Sequence, residues 1–206
     1  MTPIKATQQL TLADLERQFD LHRVEDADFF PECSENLPDL TPLEQERLDR
    51  AWAQFQYLET MPLLENMVRM VLLSPLLDLA GLYHPPFQSR SEQPIHLVLP
   101  YQGILIRGLL ETLVVQEQLW ILMVEAKQLG TSLMPGIHQS LAYLLSAPDR
   151  LYPRYAMVGN GYDFIFLKVV TGSHPCYAQS PLFGVNPGDG LAQVLRVMKR
   201  LALTLR

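Results

Sequence analysis

Leu119-Trp120-Ile121-Leu122-Met123-Val124-Glu125-Ala126-Lys127 is the stretch on which the fold turns. Six consecutive large apolar residues, several of them branched or aromatic, read as a buried strand rather than a solvated helix. The run stops abruptly at Glu125-Ala126-Lys127. Side chains alternate along a strand, so Glu125 and Lys127 share a face, and that face continues back through Met123 and Ile121. A carboxylate and an ammonium at the open end of an apolar strand are costly unless they pair with each other, a metal or a substrate. Upstream, Ile104 to Val115 reads as a longer strand with Gly108 as a bend or bulge. If the two strands form a hairpin turning near Gln116-Glu117-Gln118, Glu111 and Glu125 face each other, because directly opposed residues of an antiparallel pair point the same way. Two carboxylates would then meet, with Lys127 two residues further along.

The rest of the chain supplies helices around this sheet. Thr11-Leu12-Ala13-Asp14 starts a helix with Leu12, Leu15 and Phe19 as its apolar stripe. Residues 25–40 are acidic, carry Pro31 and Pro38, and read as a connector. Thr41-Pro42-Leu43-Glu44 is a strong helix start, with Thr as cap, Pro at the first helical position and Glu completing a capping box. Leu48, Trp52, Phe55 and Leu58 form the expected buried face, and the aromatics Trp52, Phe55 and Tyr57 read as core. A helix from Pro62 carries Leu64, Met67, Val68, Val71 and Leu72 at helical spacing. Ser74-Pro75 should interrupt it, and Leu76 to Leu79 resume before Gly81 ends it. Pro85 to Pro94 reads as a loop and Ile95 to Leu99 as a strand. After the Gly/Ser/Pro stretch from Gly130 to Gly136 comes a helix, Ile137 to Leu145. Tyr155–Val158 and Tyr162–Val170 flank Gly159-Asn160-Gly161, a tight-hairpin signal. The chain ends in a helix with Leu191, Val194, Leu195, Met198 and Leu201 on one side. The expected class is α/β, a mixed central sheet flanked by helices, with residues 1–60 as a helical N-terminal extension and 61–206 as the main domain.

Bulk properties restrict the functions available. With 206 residues, 48% of them apolar, the chain can bury a full core. A formal charge of −6 leaves no broad electrostatic footprint for nucleic acid, so such binding needs a local basic lip or divalent cations. Cys33 and Cys176 lack a CxxC partner, which favours a reducing, cytoplasmic setting. The five histidines have no zinc spacing. The start of the chain lacks a signal-peptide core, and the greasy stretch Met61 to Tyr83 is broken by Glu65, Arg69 and Asp78, so no membrane partner is expected.

From spacing alone, Glu125 and Lys127 are equally an ordinary exposed pair at a strand end, Glu111 an unrelated surface acid, and Glu65 and Gln139 solvated helix residues. Arg150, Arg154 and Lys168 read as surface charges or a basic rim, Arg107 as sharing the face of Glu111 if no bulge intervenes, and Asn160-Gly161 as structural.

The order of the pieces resembles the PD-(D/E)XK nuclease superfamily, the restriction-endonuclease-like fold, and in its hairpin the uncharacterised members near type I restriction R subunits. The pieces are Leu64-Glu65-Asn66-Met67-Val68, then Gly108-Leu109-Leu110-Glu111, then Val124-Glu125-Ala126-Lys127, then the helix bearing His138-Gln139-Ser140, then the hairpin Val158 to Lys168. The resemblance covers about Met61 to Thr171. It implies a Mg²⁺ (or Mn²⁺) site held by Glu111, Glu125 and the carbonyl of Ala126. Lys127 becomes the catalytic lysine, Glu65 an outer acid and Gln139 a positioning group. It further implies DNA as substrate and a homodimer as assembly. The first acid, usually Asp, is Glu here. One extra methylene moves a ligand by about 1 Å, and such a shift can cost on the order of 100-fold in rate. Three functions are therefore expected to compete: a Mg²⁺-dependent endonuclease, an inactive nuclease-fold protein serving as a binding or regulatory module, and a hydrolase for a small phosphorylated substrate.

Overall fold

The computed structural model describes the backbone of residues 4–6, 10–60, 65–98, 105–116, 119–126, 131–147, 152–185 and 189–204, and the side chains of all but 4–6, 27, 65, 95, 109–111, 116 and 119–126 among them. It is a mixed α/β molecule built on a mixed sheet. The strands are β1 (Ile4–Ala6), β2 (His22–Arg23), β3 (Phe87–Val98), β4 (Leu105–Gln116), β5 (Leu119–Ala126), β6 (Arg154–Gly159), β7 (Asp163–Val170), β8 (Cys176–Gln179) and β9 (Phe183–Gly184). The helices are α1 (Leu12–Phe19), α2 (Pro42–Leu58), α3 (Glu65–Val68), α4 (Ser74–Leu79), α5 (Met134–Ser146) and α6 (Gly190–Thr204). Among the described residues no helix is long and apolar enough to cross a membrane.

β4 is the hub. β3 pairs antiparallel along its whole length on one edge. The other edge is shared by β1, parallel at Leu105–Arg107, and β5, antiparallel at Thr112–Gln116. From β5 the chain crosses through α5 to β6, which lies parallel to β5. β6 and β7 form the expected hairpin. The side-chain oxygen of Asn160 accepts the backbone N–H groups of Tyr162 and Asp163, and Gly161 takes the positive φ of 99° that the turn demands. β8 and β9 share the far edge of β7, and β2 lies parallel to β8.

Helices cover both faces. On the first, Leu48 and Phe55 of α2, Leu72, Leu76 and Leu77 around α4, and Val194, Leu195 and Met198 of α6 pack on Val114, Met157, Phe164 and Phe166. On the second, Leu15 of α1 and Ile137, Leu141 and Leu144 of α5 pack on Leu113, Ala156, Val158 and Leu167. The capping boxes at Thr11/Asp14 and Thr41/Glu44 both form, each Thr hydroxyl accepting the N–H of its acid while the carboxylate accepts the Thr N–H.

Four expectations need correction. Ser74-Pro75 does not interrupt its helix. The five residues Arg69–Leu73 widen into a π turn, and the N–H of Ser74 donates to the carbonyl of Arg69. That wider turn carries the ladder past a proline whose ring would otherwise press on the carbonyl of Val71. Phe87–Pro94 is strand, not loop: it belongs to an edge strand, where Pro94 forfeits no ladder bond that matters. Tyr57 is 72% exposed, on the outer side of α2, while Phe55 is fully buried. The first sixty residues are not only helical, since β1 and β2 both join the sheet.

Candidate functional site

The predicted hairpin is present, and its register is the informative part. At the turn Gln116 pairs with Leu119 and Val115 with Trp120; a bulge follows, after which Val114 pairs with Leu122 and Thr112 with Val124. The extra residue on β5 shifts the register by one, and the last described pair is Thr112↔Val124, one step short of positions 111 and 125. On its other side β5 continues, with Glu125 paired to Val158 and Ala126 to Gly159. α3, which begins at Glu65, packs against β5. The side chains of Glu65, Glu111, Glu125 and Ala126 and the whole of Lys127 lie outside the described residues.

Across from position 111, β3 has an elbow at Glu92. The β3–β4 register passes from Ser91↔Thr112 to Gln93↔Leu110, stepping over Glu92 and Glu111, and Glu92 has a φ of 52°. On either side of this step the alternation of faces changes. In β3, Phe87 belongs to the first core and Leu97, ten residues on, to the second; in β4, Ile106 joins Leu113 and Val115 in the second core despite the odd spacing. The distal arm of the hairpin therefore turns over so that Leu97 and Ile106 lie in the same core as Leu141 of α5. Parity consequently does not carry from Arg107 to Glu111, and the guanidinium-bearing residue at 107 is simply exposed.

Gln139 is buried rather than solvated, at 5% exposure, and its Nε2 donates to the Tyr143 hydroxyl at 2.7 Å. Its neighbour His138 has an Nε2 without a hydrogen-bond partner, and burial pulls its pKa below the usual imidazole value. Ser140 is fully buried with its hydroxyl unpaired.

Two residues read as a surface rim are interior. Arg154, 2% exposed, donates from Nη1 to the carbonyl of Leu144 and from Nη2 to Thr171 Oγ1 at 2.7 Å, so it serves the open C-terminal end of α5. Lys168 donates from Nζ to both carboxylate oxygens of Glu32 at 2.9 and 3.0 Å and to the carbonyl of Phe29 at 2.8 Å. The Tyr155 hydroxyl donates to the same carboxylate at 2.8 Å, and the rings of Phe29, Phe30 and Tyr155 surround the ammonium. Burial alone would raise the Glu32 pKa, but the bonds from Lys168 and Tyr155 outweigh it and hold the carboxyl below its ordinary range. Burial, and then the carboxylate, push the Tyr155 phenol up. This network was missed from sequence. A lysine inside the apolar run Phe164–Val170, and an acid between Phe30 and Cys33, were the available signals.

No family model matches the chain, and no curated protein matches it. Among the described residues no group of three or more His, Cys, Asp or Glu side chains could hold a metal ion.

Proposed function

We propose that the chain is a Mg²⁺- or Mn²⁺-dependent phosphodiesterase acting on DNA, a nuclease of PD-(D/E)XK type on a restriction-endonuclease-like sheet. The observation that supports this reading is the β4–β5 register, which runs after its bulge from Val114↔Leu122 to Thr112↔Val124 and, continued by one step, would set Glu111 opposite Glu125. Support also comes from element order: a helix, three antiparallel strands, then α5 crossing to a parallel strand, the sequence in which the resemblance expects its pieces.

The donor set fits the metal. Two carboxylates and the carbonyl of Ala126 are hard oxygen ligands suited to Mg²⁺, and two acids at level positions repel unless a cation lies between them. When bound, the cation would offset negative charge on the scissile phosphate. Lys127 Nζ would hold the attacking water and accept its proton, and Glu65 would add an outer carboxylate from α3. Gln139, tied to Tyr143 inside α5, acts as a positioning group through that helix.

Supercoiled plasmid incubated with Mg²⁺ or Mn²⁺ should be nicked, and Lys127→Ala should lower that rate on the order of 100-fold or more. Glu111→Gln and Glu125→Gln should abolish divalent-ion uptake in calorimetry. Nicking that survives Lys127→Ala, or uptake unchanged by both acid substitutions, ends the proposal. The competing reading, an inactive nuclease-fold binding module, is favoured by one observation: Glu111, already one methylene longer than the usual Asp, lies where the otherwise continuous β3–β4 pairing omits a pair, between Ser91↔Thr112 and Gln93↔Leu110. Metal uptake without any cleavage would select it.

A further inference from the structure

We infer that a short segment of single-stranded nucleic acid binds across the ridge formed by Tyr83, Ser74 and Met70, with arginines holding its phosphates on both sides. The inference rests on the polynucleotide reading of the neighbouring site. Two cavities of about 440 Å³ each flank this ridge and share its three residues as a common wall. Arg47 and Arg50 of α2 line one; Arg69 lines the other, whose floor is formed by Ser91 and Thr112. Thr112 is next to Glu111 in the sequence of β4.

Three features make the ridge a binding element rather than ordinary surface. It is built on the π turn Arg69–Leu73, a helix irregularity that recurs at functional sites, which brings Arg69 and Met70 out together. Met70 is 66% exposed and Tyr83 41% exposed, and the Tyr83 hydroxyl shares a hydrogen bond of 3.1 Å with Ser74 Oγ, which fixes an aromatic face at the surface. The cations are exchangeable. Arg47 meets Asp78 at 3.3 Å and Arg50 meets Glu46 at 3.2 Å in exposed pairs, and Arg69 donates to the side-chain amide oxygen of Asn66 at 2.7 Å. Exposed pairs of this kind contribute little, so a phosphate can displace the carboxylates. Cations flanking an aromatic platform are the elements of single-strand binding, where bases stack and phosphates pair without sequence readout. A duplex would need a longer basic face than a chain of net charge −6 offers, and Asp78 and Glu92 in the cavity walls oppose it.

The test is fluorescence anisotropy of a short fluorescein-labelled oligothymidylate, single-stranded and annealed to oligodeoxyadenylate, with the full chain in EDTA. The wild type should bind the single strand in preference to the duplex. Arg50→Glu/Arg69→Glu should weaken binding on the order of tenfold and make the slope of log K against log salt shallower by about 1.4, the value for two lost contacts on a single strand. Tyr83→Ala should weaken it about fivefold or more, whereas Tyr83→Phe should retain most of it. Circular-dichroism melting verifies that the variants fold. No binding by the wild type, equal or tighter duplex binding, or unchanged affinity in the folded arginine variant would each overturn the inference. Failure of the two readings is distinguishable. Plasmid nicking with arginine-independent binding removes the ridge and leaves the hydrolase, while arginine-dependent binding without any cleavage in Mg²⁺ removes the hydrolase and leaves the ridge.

Discussion

Lys168 interrupts the run Phe164–Val170 on a strand buried on both faces, so its ammonium is taken out of water and relies on Glu32 and the carbonyl of Phe29. Removing one partner of such a pair leaves a buried charge uncompensated. Lys168→Met should therefore lower unfolding free energy by about 3–5 kcal/mol, read as a fall in the urea midpoint, and Glu32→Leu/Lys168→Met should recover most of the loss. The pH dependence follows in sign from the Glu32 shift. Its folded pKa lies below the ordinary value of 4.5, so its contribution is present above that value and is lost as the pH falls through the lower folded one. Glu32→Gln should flatten the acid limb of the stability curve; an unchanged limb would show that Glu32 has no part in it. The rule that a charge among apolar strand residues needs a partner is readable from sequence, and it singled out Glu125 and Lys127. It applies equally to Lys168, but the partner lies 136 residues away in a connector without periodicity, where spacing gives no guide.

At the scale of elements, legibility followed local chemistry. Caps, the Asn160-Gly161 turn and the apolar stripe of α6 were all readable because each is decided within one or two turns of chain. The outer half of β3 was not: Gln88 to Glu92 are exposed on an edge strand, so no alternation records the strand, and Pro94 is tolerated there. The elbow at Glu92 was equally invisible, since it is forced by the second core recruiting Leu97 and Ile106 rather than by a glycine. A non-glycine residue at a φ of 52° is held there against its own preference. Glu92→Gly should accordingly stabilise the protein by about 1 kcal/mol, seen as a rise in melting temperature, and the β-branched Glu92→Val should destabilise it. A Gly variant that melts lower would mean that the elbow is set by contacts of the Glu side chain itself. The hairpin that carries the candidate site was legible as spacing, while its bulge between Val114 and Val115 is a property of the paired strands.

The whole molecule does not divide where its sequence suggests. The resemblance, which begins at about Met61, invites a boundary near residue 60, with the preceding helices as an appendage. Yet Leu48, Ala51 and Phe55 lie in the core that supports β6 and β7, Leu15 lies in the core that supports α5, and β1 completes the edge of β4 beside β5. A Cβ placed on Gly161 would come within 2.5 Å of the Phe55 ring, so α2 sits hard against the β6–β7 turn. Leu15, Leu48 and Phe55 are each at most 2% exposed, and at about 1.5–3 kcal/mol per buried side chain the three together are worth about 5–9 kcal/mol. That is comparable with the entire net stability of a typical domain, about 5–15 kcal/mol. A fragment spanning residues 61–206 should therefore lack a cooperative urea transition and should bind an apolar dye, whereas the full chain should melt in a single step. If the fragment instead unfolds cooperatively at the midpoint of the full chain, the first sixty residues are an appendage after all, and the β1–β4 pairing contributes nothing to the stability of the sheet.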